Sequence, residues 1–288
     1  MSEIQPTSRP QRQEPHWFRF SLRTLLLVVA GVAIWLGIEV KEARRQQAAI
    51  MAIRDLGGWT HYDYEMQNGK TVPNARPWLP EWMLRGILRD FFHSVVEVNM
   101  VYDEDGPERL KNELFSDGVK NHLLAFPNLK CLLLCKSQAT DDCLAVIGRL
   151  RRLERILMWD ASEVTDAGVA HLRKLPKLRY VHLSNEAKFT QSHITDDSLR
   201  VFGGMPQLEG LSLQGNRFTD AGLEHLKGLK RLESLWVDLG ISRITDDGLL
   251  HLYGLTRLKE LAVQQTEVTD EGVSKLQAAL PALKSVLR

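Results

Sequence analysis

Two hydrophobic rhythms alternate along most of this chain. In Gln207–Leu229 (QLEGLSLQGNRFTDAGLEHLKGL) apolar residues fall first at Leu208, Leu211 and Leu213, a spacing of i, i+3 and i+5. They fall next at Leu223, Leu226 and Leu229, every third position. The first stretch predicts a strand, the second a helix with one apolar face. Between them, Thr219-Asp220-Ala221-Gly222-Leu223 carries a Thr-Asp helix-start signal. Each unit predicts a strand, a tight turn, a helix and a return.

The unit recurs. Its first leucine reappears as Leu129, Leu153, Leu178, Leu208, Leu232, Leu258 and Leu283, at spacings of 24, 25, 30, 24, 26 and 25. The Thr-Asp pair reappears as Thr140-Asp141, Thr165-Asp166, Thr195-Asp196, Thr219-Asp220, Thr245-Asp246 and Thr269-Asp270. Several columns repeating together at this period are the signature of a leucine-rich repeat. The expected fold class is α/β: a right-handed βα horseshoe solenoid with a parallel sheet on its concave face. Strand positions one, four and six point inward, as in Leu153/Ile156/Met158, and helix residues such as Val169/Leu172/Leu175 close the core from the other side. The aspartates, stacked in file, suit capping of their own helix N-termini better than metal binding. His171, His225 and His251 share a column too, but helices pack about 10 Å apart and zinc needs ligands at about 2 Å. No metal and no cofactor is expected.

The N-terminal forty residues follow a different pattern. Met1–Pro15 is polar and broken by Pro6, Pro10 and Pro15, which predicts a disordered tail over residues 1–18. Thr24–Ile38 (TLLLVVAGVAIWLGI) is uncharged, and with snorkelling by Arg23 the span extends over residues 19–40. The reading is a single transmembrane signal-anchor helix. A cleaved signal peptide would want a small-x-small site after the apolar run, and a buried soluble helix is disfavoured because the run is apolar on all faces and sits beside a disordered tail with nothing to pack on. Arg9, Arg12, Arg19 and Arg23 precede the span, and Lys41, Arg44 and Arg45 follow it. That bias places the N-terminus in the cytoplasm and the repeats outside it.

Residues 41–94 read as a stalk helix and an N-terminal cap, and residues 95–288 as the repeat domain. Lys41–Leu56 is helical in pattern, Trp59–Tyr64 is β-prone, and Asn68-Gly69 is a hairpin signal. Glu81–Phe92 predicts one helix burying Leu84, Ile87, Leu88 and Phe91. Trp78, Trp82, Phe91 and Phe92 are expected to cover the first strand, since a solenoid would otherwise expose an apolar edge. Val95, Val98 and Met100 repeat the strand spacing as a degenerate first unit, while the last strand, near residues 282–288, has nothing after it to cover its edge.

Charge adds little: 37 Lys and Arg against 36 Asp and Glu leave +1, which offers no argument for a nucleic-acid partner. Cys131, Cys135 and Cys143 fall within one repeat and make no disulfide framework. The variable strand positions three, five and seven are where function is expected. They gather Arg155, Leu157, Trp159, Tyr180, His182, Trp236 and Asp238 on one face as partner-binding candidates. His182, Ser212 and Asp238 also suggest a Ser-His-Asp site, but Asp238 lies two strands from His182, about 9.6 Å. Catalysis is therefore the weakest reading, and no enzyme is expected. The inserts Asn185–His193 and Asp238–Arg243 fall on one rim.

The motif L-x-x-L-x-L followed by T-D-x-G-L, clearest in Thr165–Leu172, Thr219–Leu226 and Thr245–Leu252, resembles the cysteine-containing type of leucine-rich repeat found in F-box receptors and related bacterial proteins. This chain has three cysteines and no recognisable F-box. Its Arg19–Leu26 opening (RFSLRTLL), with Leu56-Gly57-Gly58 and Tyr62-Asp63-Tyr64 beyond, resembles the membrane-anchored repeat proteins of planctomycete-type bacteria. The resemblance implies a binding module anchored in a bacterial inner membrane, with a protein or peptide partner on its concave face. The competing reading is a soluble adaptor or effector whose N-terminal helix docks on a partner.

Overall fold

The computed structural model describes residues 22–67, 70–84, 87–100, 120, 122–135, 139–159, 161–184, 193–214, 217–237 and 242–288. Two units are distinguished, one ending at Lys41 and the other spanning Glu42–Arg288. Helix α1 (Leu22–Asp55) runs unbroken through both the apolar run and the stretch after it. Every residue from Leu22 to Ile38 is exposed. By length and composition this is a helix capable of crossing a membrane, and such a helix is also what a signal sequence forms.

The second unit is built on a nine-stranded sheet in the order β1-β4-β5-β6-β7-β8-β9-β10-β11. Its strands are β1 (Trp59–Tyr62), β4 (Val95–Met100), β5 (Cys131–Cys135), β6 (Arg155–Trp159), β7 (Tyr180–Ser184), β8 (Gly210–Gln214), β9 (Ser234–Trp236), β10 (Glu260–Ala262) and β11 (Ser285–Leu287). β2 (Met66–Gln67) and β3 (Lys70–Thr71) form a separate antiparallel pair; the Asn68-Gly69 turn between them lies outside the described residues. From β4 onward every pairing is parallel and in one register. Leu132, Ile156, Val181, Leu211, Leu235, Leu261 and Val286 lie side by side. Parallel pairing needs a crossover, and from β5 onward each crossover contains a short helix: α3 (Asp141–Ile147), α4 (Asp166–Val169), α5 (Asp196–Gly203), α6 (Asp220–Glu224) and α7 (Asp246–Leu250), with α8 (Asp270–Ala279) before the last strand. The inward leucines are essentially inaccessible to solvent, and so are Val169, Leu172 and Leu175 on the helix side. Each such side chain contributes roughly 2 kcal/mol of burial, so the leucine columns dominate the stability of the stack.

The Thr-Asp pairs make a second ladder, different from the one expected. Each aspartate reaches the following repeat instead of capping its own helix. Asp141 accepts the backbone N–H and the hydroxyl of Thr165 at 2.8 and 2.7 Å. Asp166 holds Thr195, Asp196 holds Thr219, Asp220 holds Thr245 and Asp246 holds Thr269 in the same two-bond grip. The threonine hydroxyl works in both directions: it donates to that aspartate, and in Thr165, Thr195, Thr245 and Thr269 it accepts an N–H from its own helix start. The glycine of the motif follows. A Cβ on Gly168, Gly222, Gly248 or Gly272 would lie 2.1–2.2 Å from the clamping carboxylate of the preceding repeat. In α5 the column carries Ser198 instead, and its hydroxyl turns the close approach into a hydrogen bond to Asp166. Asp270, in the last helix, is met by Arg288 Nη1 at 3.0 Å.

The first edge is closed by elements other than the predicted tryptophans. Trp78 and Trp82 are 74% and 71% exposed, and Trp78 meets the rings of Phe92 and His93 edge-on. The cover is β1, antiparallel on β4 through Trp59↔Asn99 and His61↔Glu97, together with Ala49, Ile50 and Ile53 of α1, which join the core. Gln46 pins that helix turn. Its Nε2 donates to Asp90 Oδ1 and the His93 carbonyl, both at 3.0 Å, and its Oε1 accepts from Val95 N at 3.3 Å. Tyr62 adds a bond to the same Asp90 carboxylate at 2.9 Å. The single helix expected over Glu81–Phe92 is two short pieces, a 3₁₀ turn at Glu81–Leu84 and α2 (Ile87–Phe92). Within them Leu88 is exposed and Phe91 only half-buried. At the other edge β11 pairs with β10 alone.

Candidate functional site

The face of the sheet opposite the helices is open, and two rows of side chains cross it. Parallel register sets them: Glu97, Cys131, Arg155, Tyr180, Gly210, Ser234 and Glu260 in one row; Asn99, Leu133, Leu157, His182, Ser212, Trp236 and Ala262 in the next. The binding candidates Arg155, Leu157, Tyr180, His182 and Trp236 all lie in these rows, and Trp159 lies two residues along from Leu157. Asp238 lies outside the described residues, as do 185–192 and 238–241 of the two inserts.

At the β4 end the row carries charge. Glu97 is buried; His61 Nδ1 approaches it at 3.1 Å and Arg155 Nη2 at 3.6 Å. Arg155 Nη2 also donates to Cys131 Sγ at 3.2 Å. Burial pushes the Cys131 thiol up to about 11, beyond what Arg155 offsets, so it is not a nucleophile at neutral pH. None of the three cysteines forms a disulfide, and Cys131 and Cys143 are buried. A cavity of about 630 Å³ opens here, lined by Lys130, Cys131, Glu154, Arg155, Arg179 and Tyr180 with Asp63, Met66 and Val96. Its charges are mixed, and Arg179 is already spent on Glu209. Arg179 Nε donates at 2.7 Å, and Tyr180 Oη adds a bond to the same carboxylate at 2.9 Å. Burial works against ionisation of Glu209, but these hydrogen bonds outweigh it and hold the carboxyl below its ordinary range.

Toward β9 the face turns apolar. A second cavity, about 420 Å³, is lined by Leu157, Tyr180, Val181, His182, Leu211 and Trp236, with Gly210, Ser212 and Ser234 as its small members and Arg155 and Glu260 as its charged ones. His182 Nδ1 sits 2.9 Å from Ser212 Oγ, the contact that adjacent position-five residues allow. Its Nε2 is buried with no partner among the described residues. Burial lowers its pKa, so the ring is neutral at pH 7. Trp159 lies against it, ring centroids 5.3 Å apart. Nothing in this group matches the donor set of a metal centre: among the described residues no three His, Cys, Asp or Glu side chains gather.

Two residues escaped sequence reasoning. Gly210 is buried because its neighbours close over it: a Cβ there would meet Tyr180 Cδ1 at 2.7 Å and Ser234 Oγ at 3.0 Å, so the Tyr180 ring and the Ser234 hydroxyl fill the space a side chain would take. It was readable as the one glycine in its column. Glu97 was readable only by extending that column back into the first strand.

No family model matches the sequence, and no curated protein matches it. Among solved structures, the chain is similar to an internalin C2 of Listeria monocytogenes at 22% identity, covering 55% of this chain and 61% of that one with a TM-score of 0.44. It is similar to a second internalin of that organism, InlF, at 19% identity, 57% and 56% coverage and a TM-score of 0.36. A leucine-rich repeat protein of Leptospira interrogans matches at 19% identity, 57% and 38% coverage and a TM-score of 0.38. The chain therefore spans less than two thirds of each of these proteins. Likeness at this level carries no functional inference; the leucine-rich repeat architecture rests on the ladders described above.

Proposed function

We propose that this chain is a membrane-anchored scaffold that holds a protein or peptide partner against the open face of its sheet. Arg155, Leu157, Trp159, Tyr180, His182, Trp236 and Asp238 are the contact residues. The observation that carries the reading is the apolar depression between Tyr180 and Trp236, whose described lining consists of strand residues alone. Aromatic side chains beside a depression are the anchors and pockets from which interfaces draw most of their energy. The anchor is Leu22–Ile38, exposed along its whole length. It spans a bacterial inner membrane with the N-terminus in the cytoplasm and the repeats outside.

Carbonate and detergent fractionation, with protease added to intact spheroplasts, tests the anchor. We expect the chain to resist carbonate, to need detergent, and to lose its repeats to external protease. Carbonate resistance with protected repeats would reverse the orientation. Release by carbonate would remove the anchor and favour a soluble adaptor whose N-terminal helix docks on a partner.

A further inference from the structure

Building on the open-face reading, we infer that the Tyr180–Trp236 depression receives a basic side chain, an arginine or lysine, from the bound segment, with Glu260 as its counter-ion. In register, Tyr180, Gly210, Ser234 and Glu260 are four successive members of one row. The Tyr180 ring lies over the buried Gly210, so the row runs from an aromatic face past the small Ser234 to a carboxylate. The span from Tyr180 to Glu260 is three strand spacings, about 14 Å, wide enough for the long stem of one arginine or lysine laid across it. Trp236, one row along, and Tyr180 flank the floor with aromatic rings.

The charges decide what the depression takes. Arg155 lies at its far end, but buried Glu97 offsets it. His182 is neutral, because burial opposes its protonation. The carboxylates beside Glu260 are engaged, Glu209 by Arg179 and Glu233 by Lys259. Glu260 alone among these has no ion pair among the described residues. A purely apolar occupant would strip water from that carboxylate and return nothing. An acidic occupant would meet it as a like charge. A cation on an apolar stem satisfies both parts: methylenes against the Tyr180 ring and Leu157, and a charged head between Glu260 and the face of Trp236.

The test uses the full-length chain in detergent and immobilised nine-residue peptides, randomised except at a central Arg, Lys, Leu, Phe or Glu. The Arg and Lys pools are expected to retain the chain about tenfold better than the other three, and less so as salt rises. Glu260→Gln is expected to abolish that preference with the melting curve unchanged. Gly210→Val, which pushes the Tyr180 ring aside, is expected to abolish it too; should that variant fail to fold, Glu260→Gln carries the test alone. Equal or better retention by the Leu or Phe pools, or a Glu260→Gln chain that keeps the preference, overturns the basic side chain and leaves the open-face reading standing. Retention by no pool, with the chain folded by circular dichroism, overturns the open-face reading itself.

Discussion

The helix-start edge and the open face of the sheet are made by the same repeats, yet they obey opposite rules. Along the edge each repeat does the same thing. Five aspartates grip five threonines through the same pair of hydrogen bonds, and the residue two after each gripping aspartate's partner-repeat Asp is glycine or Ser198. Across the open face no repeat copies its neighbour: one row reads Glu97, Cys131, Arg155, Tyr180, Gly210, Ser234, Glu260. Repetition within a solenoid marks what every interface between repeats requires. Variation at a position that the stack does not constrain marks where chemistry is free to be chosen. The edge is therefore where substitutions should cost stability, and the face where they should cost binding.

The largest effect is expected at a clamp. Asp220→Ala removes the acceptor of both Thr245 N–H and Thr245 Oγ. A carboxylate bond and a part-buried backbone donor left unpaired together cost roughly 2–3 kcal/mol. Urea unfolding of the full chain should show that loss without a change in peptide retention. A variant as stable as the parent would break the distinction between edge and face.

Next in size is a pair of substitutions in which two effects oppose each other. Helix propensity alone says that Gly222→Ala should stabilise α6 by about 1 kcal/mol. The added Cβ would lie 2.1 Å from Asp196 Oδ1, so the clamp must open. Net destabilisation of roughly 1–2 kcal/mol is expected. Gly222→Ser should cost less, because a hydroxyl at this position can donate to the aspartate as Ser198 does to Asp166. A thermal melt in which alanine outranks serine would show that the carboxylate moves aside freely.

This ladder also shows where sequence reading stops. The Leu columns were legible because period and side-chain direction are local: positions one, four and six of a strand must share a face. The identity of Thr and Asp was legible as well, but their pairing was not. Asp141 and Thr165 are 24 residues apart in sequence, and adjacent Thr-Asp residues read naturally as a cap within one helix. Only the stacking of repeats turns the carboxylate outward to its neighbour. The cap failed for a related reason. Trp78 and Trp82 are large and apolar, but cover for the first strand came from Ile50 and Ile53, on a helix more than forty residues before it in sequence. Of the face, the aromatic candidates were visible at the variable strand positions, while the depression was not, because it depends on how the Tyr180 ring lies over Gly210 of the neighbouring strand.

A smaller effect separates the last clamp by pH. Two hydrogen bonds donated by Thr269, from its hydroxyl and its backbone N–H, hold the Asp246 carboxyl below its ordinary range. Because the folded value is the lower one, the stabilisation is complete above the unfolded value of about 3.9. It is lost as pH falls through the folded value. Amide exchange at Thr269 should therefore be independent of pH from neutral down to about 4 once corrected for intrinsic rate, and protection should fall below that. Asp246→Asn should remove the acid dependence. Loss of protection already near neutral pH would mean that another group governs this repeat.

The smallest stability change is expected on the face. Trp236 is half-buried, and its pair neighbours in the row are Ser212 and Ala262, so its ring leans on little that the fold needs. Trp159→Ala with Trp236→Ala removes one wall of the depression and the ring against His182. The melting transition should shift less than for Asp220→Ala, while retention on the Arg and Lys peptide pools falls by about tenfold or more. The ordering is what matters. If the double variant melts below the clamp variant, those rings belong to the core, and the open face owes its aromatics to the preference of strands for such residues. If it melts near the parent and no longer retains peptide, stability and recognition reside on separate surfaces of the same repeats.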